Sequence, residues 1–215
     1  MAVQQLRQVE LDQLVAELLG GRRDLQCIVL GEGNKNLSGH QKYDALQAYF
    51  RGLESPKDRE VAALSERPVD VSRSDLSGLV AVGLRLRHLK GVETYFVEAD
   101  LTGADLMRAN LTSADLTGAD LTGAYLLGAR LIGAKLAGAV LKEAKFGWAK
   151  FERADLTGAD VTGADFREAS LIETQLAGVR GLEYALFHGT VVSEVQRELI
   201  LSMSSTAAYH QFSIR

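Results

Sequence analysis

The groups best suited to chemistry in this 215-residue chain are four histidines, one cysteine and a long series of aspartates. His40, His88, His188 and His210 stand far apart in the chain. None lies at metal-ligand spacing from another histidine or from Cys27. Catalysis needs converging groups with tuned pKa values, and no such constellation is visible. No phosphate-cradling glycine motif appears, because the glycines follow a shorter rhythm. The residues therefore imply no catalytic site, no cofactor and no bound metal, and the expectation is a non-enzymatic protein. A cleft beside a helical insertion would be the best remaining place for an enzyme site.

The rhythm has a period of five. From Phe96 to Leu176 every fifth residue is Leu, Phe or Val, and two positions before each one Ala recurs from Ala99 through Ala169. Five matches neither a helix at 3.6 nor a strand at 2.0. It fits a chain that turns one side chain inward, bends and repeats. Four bends close a coil of twenty residues, and stacked coils pair backbone to backbone as a parallel β-helix. Each inward Leu contributes about 1.5–3 kcal/mol on burial. The second inward position faces a tight corner, where a residue larger than Ala overpacks at about 1–3 kcal/mol.

Tandem Ala-Asp-Leu-Thr-Gly, as at Ala99–Gly103, resembles the pentapeptide repeat family, strongly over residues 94–178. The resemblance implies a right-handed quadrilateral β-helix of about six coils, and members of the family serve several roles. The segment Leu18 to Leu30 also resembles the start of cyanobacterial members, which implies regulation by protein contact.

The register extends to Val71, Leu76, Ala81, Leu86 and Gly91 upstream and to Gly181, Leu186 and Val191 downstream. Leu79, Leu84 and Leu89 occupy the small-residue position, so an irregular coil is expected there. Leu25 and Leu30 centre two more units. The expected organisation is a capping helix over 1–21, half of the first coil over 22–31 and a helical insertion over 32–68. The β-helix then runs over 69–191, with a helix and tail over 192–215. Within the insertion, Tyr43, Leu46, Phe50 and Leu53 mark one helix, and Ser55-Pro56 starts a second. Ser193 is a candidate cap for a last helix carrying Val195, Leu199 and Met203. That helix would close the far end or pair two copies of the chain as a homodimer, and both bury the same stripe.

Residues twenty apart should stack in columns. Asp100, Asp120 and Asp160 form one with Val140, and Asp115 and Asp155 form another with Lys135. A third face carries Met107, Tyr125, Leu127 and Trp148 beside Arg108 and Lys145, and the next face carries Arg130, Ile132, Lys150 and Ile172. Aromatic and apolar side chains beside cations have the composition of a protein-binding hot spot. The protein-binding candidates are therefore Met107, Tyr125, Leu127 and Trp148, with Arg130, Lys145 and Lys150 supplying charge. Cover by the insertion or self-association would bury the same patch.

The acidic columns carry an alternative. Some pentapeptide repeat proteins imitate B-DNA, bind DNA gyrase and protect it from quinolones. Residues 96–178 hold twelve acids and eight bases, a net of −4, whereas DNA of equal length (about 20 Å) carries about 12 negative charges. A basic belt from Arg130 to Arg153 interrupts the imitation. Asp also suits turns on its own account. Direct nucleic-acid binding is not expected from a chain of net charge −4 without a stacking platform. A single cysteine permits no internal disulfide. With no signal-like start and no spanning apolar run, the expectation is a cytoplasmic regulatory or scaffold protein that binds another protein and no membrane.

Overall fold

The computed structural model describes residues 70–73, 75–83, 85–203 and 212–214. The expected capping helix, first half-coil and helical insertion lie outside the described residues, as does Leu84.

The described chain is a four-sided parallel β-helix. Bridges join residues twenty apart on every side, as in Asp100↔Asp120, Asp105↔Tyr125, Asn110↔Arg130 and Asp115↔Lys135. The bore holds the expected residues: Leu101, Leu106, Leu111 and Leu116 are buried, and so are Ala99, Ala104, Ala109 and Ala114. One unit shows why the motif has its composition. Asp100 N donates to the carbonyl of Leu79 in the coil before, and Leu101 N and Gly103 N donate to Asp120 and Thr122 in the coil after. Ala104 N closes the bend on the carbonyl of Leu101. Thr102 N, the one amide left over, is taken by the Asp100 carboxylate at 3.1 Å. Every backbone donor of the unit is thus satisfied, as burial requires, and the Asp is an Asx cap.

Upstream, Val71, Leu76, Ala81 and Leu86 point inward as expected. The expected irregularity is not seen: Leu79 and Leu89 are buried in the corner and the bridges continue evenly. The reason is volume. Leu79 precedes Ala81 and Leu89 precedes Gly91, so large and small residues have exchanged places within each unit. A Cβ at Gly91 would already meet Leu111 at 3.0 Å.

Downstream the expected register is wrong by one residue. Leu182, Phe187 and Val192 fill the bore, while Leu186 is exposed. A short 3-10 turn, Leu182–Tyr184, adds a residue, so Asp165 bridges Leu186 and Ser170 bridges Val191, twenty-one apart. Gly181 permits the turn: its φ is 79°, and a Cβ would lie 2.6 Å from the Thr162 amide nitrogen. Inside this end the rings of Phe146 and Phe166 stack at 5.1 Å and those of Phe166 and Phe187 at 5.5 Å.

Strand β1 (Val191–Val192) is followed by helix α1 (Glu194–Met203), and strand β2 (Ser213–Ile214) returns to pair in parallel with β1. Ser193 caps α1 as expected, within a capping box: its amide donates to Gln196 Oε1 and its hydroxyl accepts from Gln196 N. The buried stripe is rotated from the expected one. Ile200 and Gln196 face inward, Leu199 is partly buried and Val195 is exposed. Gln196 Nε2 also donates to the carbonyls of Leu171 and Thr174. Helix α1 thus packs Gln196 and Ile200 against the last bends.

Candidate interaction face

Strand bridging builds the third face from the column Arg85, Asp105, Tyr125, Lys145, Asp165 and Leu186. Beside it runs Met107, Leu127, Gly147 and Arg167, two residues further along each unit. These columns bound a groove of about 770 Å³ that Met107, Tyr125, Leu127, Lys145, Gly147 and Trp148 line together. Tyr125 is 49% exposed and Trp148 64%. Five of the seven expected protein-contact residues thus meet in one place. Arg130 and Lys150 do not line it: they bridge each other on the next face.

Seven further lining residues were not anticipated, Arg87, Arg167, Leu186 and His188 among them. Arg87 lies twenty residues before Met107, so the column count alone finds it. Leu186 reaches the groove only because the 3-10 turn shifts it, since the regular count sends it into the bore. Its small-residue partner betrays the shift: Ala185 stands two before Phe187, and Thr190 two before Val192.

Trp148 takes the left-handed bend that recurs at this place in the repeat, φ 58°, as do Arg108 two coils earlier and Glu168 one coil later. Gly128 occupies the same place one coil earlier at φ 66°. The Trp148 amide donates to the carbonyl of Arg167 at 3.1 Å. Lys145 makes no ion pair within 4.0 Å among the described residues. Arg87 leans on Asp105, and Arg167 holds Asp165 through Nε and Nη2 at 2.9 and 2.7 Å. The Arg167 side chain is the main cause that lowers the Asp165 carboxyl below its ordinary range, against the opposing push of burial.

The acidic columns stack as expected, Asp100 on Asp120 and Val140 on Asp160, and Asp115 beneath Lys135 and Asp155. Each of these five carboxylates accepts the amide two residues on: Thr102, Thr117, Thr122, Thr157 and Thr162. Asp115 also pairs with Lys135 at 3.2 Å and Asp160 with Lys142 at 3.5 Å. For both, burial pushes the carboxyl up, and the Thr and Lys hydrogen bonds outweigh it and hold it low. Among the described residues no His/Cys/Asp/Glu group is placed to hold a metal ion, and no helix is long and apolar enough to cross a membrane.

Residues 104–180 match the family model for the pentapeptide repeat region. The pentapeptide repeat protein alr5209 from Nostoc PCC 7120 is 32% identical over 42% of this chain and 69% of its own, with a TM-score of 0.35. The chain belongs to the pentapeptide repeat family. This pentapeptide repeat protein is also 29% identical, over 58% of its length, to HetL, with a TM-score of 0.30. HetL is involved in heterocyst differentiation regulation in the cyanobacterium Nostoc sp. strain PCC 7120, and the chain spans 64% of HetL's length. QnrB1, a plasmid-mediated fluoroquinolone resistance protein, is 17% identical over 68% of this chain and 88% of its own, with a TM-score of 0.30. No curated protein matches the sequence.

Proposed function

We propose that this protein is a non-enzymatic regulator or scaffold that docks another protein on the third face of its β-helix. One observation carries the reading: Met107, Tyr125, Leu127 and Trp148 converge on a single open groove although they come from three successive coils. Trp148 is a large aromatic left 64% exposed in that groove, the kind of side chain that anchors protein interfaces. The resemblance to a regulatory pentapeptide repeat protein supports the same style of action. Trp148→Gly is the discriminating variant, since Gly128 already serves at the equivalent place. Its expected outcome is unchanged or slightly raised thermal stability together with loss of the native partner in co-purification from the source lysate. Retention of that partner would reject the face.

Imitation of DNA toward gyrase is the second reading, favoured only by the stacked aspartates. Their carboxylates cap the protein's own turns and pair with Lys135 and Lys142, which weakens their resemblance to a row of free phosphates. Unchanged supercoiling by purified gyrase in the presence of the protein is the expected result.

A further inference from the structure

The groove has a notch and an uneven charge, and together they describe an occupant. Along the column Met107, Leu127, Gly147, Arg167 one position lacks a side chain. The gap at Gly147 is walled by Leu127, Lys145, Trp148 and Arg167, all lining the same groove. A Cβ there would meet only the Arg167 carbonyl, at an ordinary 3.6 Å, and Gly147 is absent from the glycines of positive φ. Glycine is thus not needed for the backbone, and what it provides is the space.

Lys145 stands beside that space, and further cations lie along the face, of which Arg87 and Arg167 already hold Asp105 and Asp165. Arg85, Arg87, Arg108, Lys145 and Arg167 lie on this face against Asp105, Asp165 and Glu168, an excess of positive charge on a chain whose net charge is −4. A second depression, lined by Arg85, Arg87, Met107 and Tyr125, continues the groove toward the earlier coils. From Arg85 to Leu186 the column climbs five coils, about 24 Å at ~4.8 Å each. Ridges repeating every ~4.8 Å lie closer to the ~5.4 Å turn of a helix than to the ~6.7 Å between like-facing residues of a strand.

We infer that the notch over Gly147 receives an apolar anchor from an acidic amphipathic helix of a partner protein, with Lys145 beside the notch and Arg85 further along the face meeting its carboxylates. This deepens the docking reading above and rests on it. The occupant is a helix-in-groove ligand of about sixteen residues, the number that spans ~24 Å.

Trp148 is the chain's one tryptophan, so its fluorescence reads this site directly. The probe is a synthetic sixteen-residue peptide with a Leu/Phe stripe at i, i+3, i+4 and i+7 spacing and Glu or Asp elsewhere. The free protein should emit at the long wavelength of a solvent-exposed indole. The acidic peptide should shift that emission and bind less tightly as salt rises from about 50 to about 300 mM. Gly147→Leu and Lys145→Glu should each weaken binding about tenfold or more, with unchanged circular dichroism and melting temperature. A peptide of the same composition with a scrambled stripe should fail to compete.

Several results would overturn the inference: a blue-shifted free emission, meaning that the chain covers its own face, or equal binding of a basic peptide. Saturable binding of single-stranded DNA in place of the acidic peptide, or no response at millimolar peptide, would do the same. If the native partner is lost from Trp148→Gly but the acidic peptide never binds, the docking face stands and this occupant falls. If Trp148→Gly keeps its partner, both fall.

Discussion

The aspartates show how a repeat can look functional and be structural. In each unit the ladder takes four amides and leaves one, and a carboxylate one residue before the central Leu reaches it. That geometry is set by two bonds along the backbone, so it recurs wherever the residue is Asp or Asn, including Asn110 with Thr112. Asp120→Ala should therefore destabilise by about 1 kcal/mol, the net worth of one such hydrogen bond, and Asp120→Asn should restore most of it. Urea unfolding of the three proteins checks this. A charge-driven role would predict the reverse, with Asn no better than Ala. Trp148 differs from the aspartates: its indole is 64% exposed and caps no turn.

At the scale of elements, the regular coils were legible from the sequence because one residue type per position satisfies one geometric demand. Leu106 and Ala104 hold the two inward places of their unit, one large and one small. The columns followed from the period alone, so the groove's Met107, Tyr125, Leu127 and Trp148 could be grouped before any coordinate. Two features were not legible for the same reason. The 3-10 turn Leu182–Tyr184 changes the period by one, which shifts Leu186 to the outside. Helix α1 sets its inward stripe by the carbonyls it meets, so Gln196 is buried beside Ile200 while the more apolar Val195 is exposed. Gln196 is the measure of that choice. It serves both the capping box and two carbonyls of the last bends. Gln196→Ala should cost about 2–3 kcal/mol, because it leaves buried acceptors without donors. Arg197→Ala, which removes only an exposed pair with Glu194, should cost less than about 0.5 kcal/mol. Differential scanning calorimetry of both variants distinguishes a closing helix from an appended one.

The whole molecule is a stack in which each coil touches only its neighbours, so its stability is close to a sum over coils and interfaces. The surface is different, because the groove depends on phase: Met107, Tyr125 and Trp148 share a face only while whole turns of twenty separate their columns. Fold and face can therefore be uncoupled. Deleting residues 131–135 removes one complete unit, Leu131 to Lys135, and the next unit supplies an equivalent Leu and Ala in its place. The bore stays filled, and Phe146, Phe166 and Phe187 keep their stacking because all three lie downstream. Everything after the deletion turns by one side. Trp148, Lys145 and Gly147 then leave the face that holds Met107 and Tyr125, and the notch no longer opens between them. The expected outcome is a β-rich circular dichroism spectrum and cooperative melting like those of the intact chain, with docking abolished. Deleting the twenty residues 121–140 should shorten the stack but restore the phase, setting Met107 one coil from Trp148's unit and returning part of the binding. If the five-residue deletion still docked its partner as well as the intact protein, recognition would have to reside outside the groove. If it failed to fold, the coils would not be the interchangeable units that their shared hydrogen bonding implies.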